Sequence, residues 1–135
     1  KKIINSEKWD IVCLISDKKV DDESEKIKLG SDRIIQCNKE LPNEEADGEF
    51  TGMIRHSHIG AQQFKKHLQL CKDLDLLDGK NVRDLIEFMA GRGVVIKTEH
   101  ISADDWMEVD FPHEYDFAKN IFIHKIKEID LNENG

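Results

Sequence analysis

Glu108 and Asp110 are the side chains whose types and spacing best suit metal-assisted chemistry. We expect residues 106–109 to form a short strand, in which Glu108 and Asp110 share one face while Met107 and Val109 face the core. In α/β sheets, ligands bind outside the carboxyl ends of the strands. Mg²⁺ in such sites is held by one or two carboxylates together with substrate phosphates. The pattern therefore suits a site for magnesium and phosphate, and the alternative is that Asp110 only helps to cap the helix that follows.

A family resemblance adds to this pattern. Residues 106–118 are similar to the signature W-x-E-I-D-T-P-E-D-Y/L-x-x-A near the end of sugar nucleotidyltransferases, most of all in the variants that accompany phosphoenolpyruvate mutase in phosphonate pathways. In that family the aspartate of the E-I-D triplet binds the metal. The resemblance therefore implies that Asp110 is a catalytic residue and a Mg²⁺ ligand, with Glu108 beside it at the substrate. Phe111 stands where the family has a Thr or Ser cap, which should weaken the next helix by roughly 1 kcal/mol, and His113 replaces a glutamate.

A second segment, residues 47–61, resembles the family's G-E-W/Y-I-G-L-x-K-x-S-x-x-G-A, which lines the acceptor pocket. Its matching pocket residues are Glu49 and Gly52. A carboxylate can accept hydrogen bonds from acceptor hydroxyl or amino groups, and a glycine inside a strand often marks a bulge or a close approach of a ligand. Without the resemblance, Glu49 would be interpreted as a solvated loop carboxylate. Lys39 lies where the family often has a lysine at a strand end, and as a point charge it could neutralise a phosphate or phosphonate, which makes it a second catalytic candidate.

Strands and helices must position these side chains, and their patterns interleave along the chain. Short apolar runs predict strands near residues 10–16, 33–41, 50–56, 94–96 and 106–109, with an exposed loop or edge at 18–28. Helices are predicted over about 57–70 with Ser57 as N-cap, over 82–90 with Gly91 or Gly93 as the stop, and from Pro112 onward. This order predicts a single α/β domain over residues 1–135, with a mixed, mostly parallel sheet flanked by helices. With the resemblance, it implies part of a Rossmann-like nucleotidyltransferase fold that lacks the N-terminal nucleotide-binding half.

The composition sets limits on the partners. A net charge of −8 and a pI of about 5.2 disfavour a nucleic-acid partner, because an acidic surface repels phosphates. Three cysteines without a C-x-x-C motif are expected to be buried thiols in a reducing, cytoplasmic compartment. No apolar run approaches about 18 residues, so no membrane partner is expected.

The expected buried face of the last helix is Tyr115, Ala118, Ile121, Phe122 and Ile126.

The resemblance implies an activity for the intact protein. A nucleoside monophosphate would pass from an NTP, with CTP favoured, to a sugar-phosphate, phosphocholine-like or phosphonate acceptor, with Mg²⁺ as cofactor and pyrophosphate as product. The family's glycine-rich loop, which holds the triphosphate, has no counterpart in residues 1–135. We therefore expect this chain to need the N-terminal half of the same protein for catalysis. The alternative is a non-catalytic α/β binding or protein-interaction module derived from that fold.

Overall fold

A computed structural model describes residues 8–133, with side chains for residues 8–123. Its elements are β1 (Ile11–Ser16), β2 (Lys26–Leu29), β3 (Ile34–Asn38), β4 (Gly48–His56), α1 (His58–Asp73), α2 (Val82–Gly91), β5 (Lys97–Ile101) and α3 (Pro112–Glu133), with short 3₁₀ turns at Asn43–Glu45 and Ala103–Asp105. The predicted α/β class is confirmed, because a five-stranded mixed sheet is flanked by helices. The side chain of Ile126 lies outside the described residues.

The strands of the sheet are ordered β3-β2-β4-β1-β5. β1 runs parallel to β5, whereas the pairs β1–β4, β2–β4 and β2–β3 are antiparallel. The prediction of a mostly parallel sheet is therefore wrong. The antiparallel pairs come from β4, which is antiparallel to both β1 and β2, and from the β2–β3 hairpin. The first strand of this hairpin begins within residues 18–28, the stretch expected to be a loop or edge. Residues 26–29 alternate charged and apolar side chains, but this period-2 pattern is too short to stand out among the surrounding charges.

β1 lies between β4 and β5 and is the most completely buried strand of the sheet. All six of its residues are buried. Ile11, Cys13 and Ile15 join the main core together with buried residues of α2, and the alternate residues, ending with Ser16, face the other side of the sheet. An apolar run without alternation is typical of a strand covered on both faces, so the prediction of a buried strand is confirmed.

Side-chain caps fix the starts of α1 and α2. Ser57 Oγ accepts a hydrogen bond from the Gly60 N–H (3.1 Å), which confirms the predicted N-cap of α1. Asn81 and Asp84 form a capping box at the start of α2. Just beyond the end of α2, Gly93 has φ +84°, the left-handed conformation that glycine favours after a helix. Both helices therefore lie where the sequence predicts them.

Two predicted strands are wrong. Residues 94–96 do not form a strand, because the Val94 N–H donates to the Met89 carbonyl (3.1 Å) and closes the end of α2. β5 instead begins at Lys97, and Ile96 before it is fully buried. Residues 106–109 are extended at Trp106 (φ −145°, ψ 141°) but pair with no strand among the described residues. Propensity alone does not make a strand where no partner edge is present.

The last helix starts at Pro112, as predicted, but its expected buried face is only partly present. Tyr115 is 59% exposed, which contradicts its assignment to the core. Ala118, Ile121 and Phe122 are half-buried. Val109, expected in the core ahead of this helix, is 45% exposed. Across residues 8–133, no helix combines the length and the apolar character needed to cross a membrane.

Candidate functional site

Glu49, one of the predicted site residues, lies at the edge of the sheet where β1 and β5 end. These strands are parallel and pair Ser16 with Ile101, so their carboxyl ends lie together. β4 is antiparallel to β1 and pairs Glu49 with Ser16, which places the start of β4 at the same edge. Near the end of β5, His100 Nδ1 lies 2.7 Å from Asp17 Oδ1. Parallel α/β sheets bind ligands at the carboxyl ends of their strands, and β1 and β5 are the parallel pair of this sheet.

Glu49 has the most unusual environment of the predicted residues. It lies in β4 and is 4% exposed, so its interpretation as a solvated loop carboxylate is wrong. Its Oε2 is buried without a hydrogen-bond partner among the described residues. The ammonium of Lys18 lies 3.9 Å from this oxygen, beyond hydrogen-bonding distance. A buried acceptor without a donor destabilises the folded protein by about 1–3 kcal/mol. A ligand that donates a hydrogen bond to Oε2 would remove this penalty, so Oε2 is a candidate position for ligand binding.

Lys26 places a second buried charge on the same face of the sheet. It lies opposite Glu49 in the register of β2 and β4, and directly opposed residues of antiparallel strands point to one face. Lys26 is 2% exposed, and its Nζ donates to the carbonyl of Lys39 (2.6 Å). Opposite charges on one buried face offset part of each other's cost of burial. A carboxylate and an ammonium are therefore built into the sheet at this edge.

A cleft of about 290 Å³ reaches Gly48, the residue before Glu49. Its walls are residues 17–20, which follow β1, and the approach to β4, including Asn43 and Gly48. We call it the carboxyl-edge cleft. Lys18 and Lys19 bring two ammonium groups to its wall, and Asp17 and Asp47 bring two carboxylates. The Lys18 side chain is 49% exposed. The arrangement offers ammonium groups for an anion next to a carboxylate that lacks a donor.

Glu108 and Asp110 join this group although no strand carries them. Partial burial raises the pKa of Glu108 above its usual value, and the negative charges of Asp110 and Glu49 raise it further. The charge of Glu25 adds to this effect, and the Lys18 ammonium opposes it. Glu49 and Glu108, which are far apart in sequence, therefore belong to one electrostatic group.

The carboxylates suit part of a magnesium site. Among residues 8–123, no three His, Cys, Asp or Glu side chains lie close enough together to hold a metal ion. Mg²⁺, however, usually keeps several waters and takes one or two carboxylates plus substrate phosphates. Glu108 and Asp110 could supply those carboxylates, and the concentration of negative charge here is what a divalent cation neutralises. Mg²⁺ binding stays a prediction.

Glu114 caps the start of α3. Its Oε2 accepts hydrogen bonds from the backbone N–H groups of Asp110 (2.8 Å) and Phe111 (2.9 Å), and these bonds lower the pKa of Glu114. This is the carboxylate half of a capping box, in which the third helical residue accepts from the backbone N–H of the N-cap, whereas Phe111 has no side-chain acceptor to offer in return. Within the described residues, no hydrogen bond engages the Asp110 carboxylate, so capping does not account for it.

Gly52 lies at a bulge in β4, as a glycine inside a strand predicts. One residue of β1 faces three of β4, residues 51–53. Gly52 has φ +78°, and a Cβ added there would meet nothing within 4 Å. The left-handed backbone therefore favours glycine at this position. The open space also leaves room for a ligand to approach, and the predicted acceptor contact remains a prediction.

Lys39 follows β3 directly, at the strand end where a lysine is expected. Its Nζ lies 3.3 Å from Oε2 of Glu23, which is 90% exposed. Within residues 8–123, no ion pair joins the Lys39 ammonium to Glu49. Its backbone carbonyl, by contrast, holds the Lys26 ammonium. The catalytic assignment of Lys39 stays a prediction.

Lys18, Lys19 and Lys26 are charged residues of the candidate site that the sequence analysis missed. All three lie in residues 18–28, where a loop or edge was expected. The alternation of residues 26–29 is the signal that could have placed Lys26 on one face of a strand. No local pattern marks Lys18, because its position beside Glu49 depends on the pairing of β1 with β4.

Comparison with known proteins adds no relative. No protein-family model matches the chain, and no curated protein matches it. The functional argument therefore depends on the geometry at the carboxyl edge of the sheet and on the resemblance of two short segments.

Proposed function

We propose that this chain supplies the acceptor-binding and metal-binding residues of a nucleotidyltransferase. The enzyme would transfer a nucleoside monophosphate from an NTP, with CTP favoured, to a sugar-phosphate, phosphocholine-like or phosphonate acceptor. One observation carries the proposal: the buried Glu49 Oε2 lacks a hydrogen-bond donor among the described residues, and the Lys18 ammonium in the wall of the adjoining cleft lies 3.9 Å away. In this role the sheet would be part of a Rossmann-like nucleotidyltransferase fold, with the NTP held by another part of the protein.

Different site residues would bind different groups of the acceptor. A hydroxyl or primary amino group of the acceptor would donate to Glu49 Oε2 and satisfy its missing hydrogen bond. The quaternary ammonium of a phosphocholine-like acceptor has no N–H and would pair with this carboxylate through its charge alone. The phosphate or phosphonate would bind the ammonium groups of Lys18 and Lys19, with Lys39 as a further candidate. An acceptor held at both ends has one orientation, and such positioning supplies a large part of the rate enhancement in phosphoryl-type transfers.

The reaction itself needs little covalent chemistry from the protein. An acceptor oxygen attacks the α-phosphorus of the NTP, the bond from that phosphorus to its bridging oxygen breaks, and pyrophosphate leaves with the bonding electrons. A phosphate has a second pKa near 6, so its oxygen is largely deprotonated at neutral pH and requires no general base. Mg²⁺ bound at Glu108 and Asp110 would neutralise charge on the α-phosphate.

Pyrophosphate release by the full-length protein, with CTP and phosphocholine or 2-aminoethylphosphonate, tests the proposal. Asp110→Ala should lower kcat at least about 100-fold, since a bound metal stabilises the transition state by several kcal/mol. Asp116→Ala is the matched control, because Asp116 is an exposed carboxylate six residues further on. Turnover of Asp110→Ala close to that of the control would remove Asp110 from the mechanism, and no release with any acceptor would reject the activity.

A protein-interaction module is the second candidate, and a different surface favours it. A cleft of about 600 Å³ between α1 and α2, here called the α1–α2 cleft, is lined by Leu68, Leu76, Leu77 and Val82, among others. These four side chains are 39–48% exposed, and contiguous exposed apolar surface marks interaction sites. If a second copy binds there, sedimentation should show concentration-dependent association that Leu77→Glu abolishes, while Glu49→Gln and Asp110→Ala change no measured property.

A further inference from the structure

A third cleft lies at the opposite end of β1 from the carboxyl-edge cleft. It has a volume of about 330 Å³ and is bounded by the start of β1, the middle of α1 and the residues that follow α2. A six-residue strand separates the two clefts by roughly 20 Å. We call it the Lys66–Arg92 cleft after the two cations in its wall. It shares no residue with the proposed acceptor site.

The charge of this cleft differs from that of the whole protein. Lys66 and Arg92 are exposed, and neither forms an ion pair within the described residues. The Arg92 guanidinium lies over the Phe88 ring, 5.5 Å from its centroid, which holds it at the end of α2. Asp10 is the carboxylate in the lining, and it already accepts a hydrogen bond from Ser57 Oγ. The lining therefore contains two cationic side chains and one carboxylate, in a protein whose net charge is −8.

A buried imidazole completes the polar wall. His67 is 5% exposed and lines the cleft. Its Nδ1 lies 2.8 Å from the Gln63 carbonyl, so this nitrogen carries the proton and donates. Its ring meets Phe88 edge-on, with the centroids 6.3 Å apart. The orientation of the ring is thus fixed from two sides, and Nε2 is the nitrogen left for a ligand or water.

The rest of the lining is apolar or already satisfied. Ile59 and Val95 are 56% and 44% exposed and form a hydrocarbon surface beside the cations. The carbonyls at the end of α2 are taken by the N–H groups of Arg92, Gly93 and Val94, which reduces their repulsion of an anion. A cleft with an apolar surface and a few converging polar groups is typical of small-molecule sites, and this volume is at the lower end of their range.

We propose that the Lys66–Arg92 cleft binds a small phosphomonoester. The dianionic phosphate pairs with Lys66 and with the guanidinium fork of Arg92, which matches phosphate oxygens. The esterified group lies against Ile59 and Val95. Two cations match a dianion better than a monoanion, so a carboxylate of the same shape binds more weakly. This assignment is independent of the proposed transferase function, because it uses other residues at the other end of β1.

NMR titration of the chain with phenyl phosphate, inorganic phosphate and phenylacetate, at constant ionic strength, tests the assignment. Saturable shifts are expected at the His67 ring and the Gly93 amide, with phenyl phosphate binding tightest and phenylacetate weakest. Lys66→Ala and Arg92→Ala should each weaken phenyl phosphate binding about tenfold, the loss expected for one charge-assisted contact. Lys65→Ala, an exposed neighbour on α1 outside the cleft, should stay within about twofold.

Several results would overturn the assignment. Shifts that do not saturate by about 50 mM ligand mean that no site exists at useful affinity. Phenylacetate binding as tightly as phenyl phosphate rejects the phosphate class. Equal effects of Lys66→Ala and Lys65→Ala reduce the interaction to general surface charge. Shifts confined to Lys18 and Lys19 would place the anion in the carboxyl-edge cleft instead.

Discussion

Gly60→Ala is the substitution whose effect the structure fixes most tightly. Gly60 lies in the first turn of α1, where the helix passes over the backbone that leads into β1. A Cβ at this position would lie 2.2 Å from the Asp10 carbonyl oxygen and 2.9 Å from His56 Cβ. The Asp10 oxygen cannot move freely, because it also accepts the Ser57 N–H (2.8 Å). The clash is therefore with backbone held in place by the same turn.

The expected cost follows from these contacts. To restore ordinary contact of at least 3.4 Å, the start of α1 must move by more than 1 Å from Asp10. Overpacking of this kind costs about 1–3 kcal/mol. The same displacement strains the Ser57 cap, whose loss costs about 1 kcal/mol. We therefore expect Gly60→Ala to lower the free energy of unfolding by about 3 kcal/mol.

Urea denaturation followed by circular dichroism measures this loss. With an m-value of about 2 kcal/mol per molar, the midpoint should fall by about 1.5 M at unchanged m. Gly91→Ala is the matched control, because Gly91 lies in α2 and a Cβ there meets nothing within 4 Å. It should be neutral or stabilise the protein by roughly 0.5–1 kcal/mol. Equal midpoints for the two variants would refute the close contact between α1 and Asp10.

Three further predictions concern backbone strain, thiol reactivity and pH. Gly52→Ala should lower the free energy of unfolding, measured by urea denaturation, by about 1–2 kcal/mol, because φ +78° is unfavourable for alanine, and Gly52→Asn should lower it less. Equal stability of wild type and Gly52→Ala would contradict the bulge. Burial raises the pKa of Cys13 to about 12, and the three thiols are buried, so a thiol reagent at pH 8 should modify them only after unfolding. Hydrogen bonds from Ser24 and from backbone N–H groups lower the pKa of Asp21. The stabilisation from these bonds is present above the unfolded pKa near 3.9 and is lost as pH falls through the lower folded pKa, so Asp21→Asn should remove this part of the acid sensitivity of unfolding.

Local signals were sufficient to predict the starts of the helices and the buried strand β1. Ser57 caps α1 through contacts within three residues, and Gly93 ends α2 through its own backbone conformation. β1 was recognisable because its branched apolar residues fill a strand that is buried on both faces. In each case the cause lies within a short stretch of chain, so a single sequence contains it.

Strand pairing was not predictable in the same way. The antiparallel β2–β3 hairpin depends on a strand of four residues with two lysines, whose pattern is weak by itself. Residues 106–109 have strand-like composition but pair with no strand in the part of the chain that the structure describes, and Val94 closes the end of α2. Contacts with distant parts of the chain determine whether these segments form strands, and the local composition does not reveal those contacts.

Part of the candidate site could be predicted from the sequence, and the roles of its residues stay predictions. Resemblance pointed to Glu49, Glu108 and Asp110, and the charges of Asp110 and Glu49 raise the pKa of Glu108. That resemblance could not show that Glu49 is buried with an unpaired oxygen, since this depends on the register of β4 with β1 and β2. Lys18 became part of the site for the same reason. Its distance to Glu49 is a property of strand pairing.

The most direct test of the central claim is an amide NMR titration of this chain with phosphocholine and 2-aminoethylphosphonate in the presence of Mg²⁺. Binding at the carboxyl-edge cleft predicts saturable shifts at Lys18, Lys19, Gly48 and Glu49. In Glu49→Gln these shifts should require at least about tenfold more ligand, because the negative charge that pairs with the cationic group of either ligand is lost. Absence of shifts at these amides, or equal affinity of wild type and Glu49→Gln, would contradict an acceptor site built on Glu49.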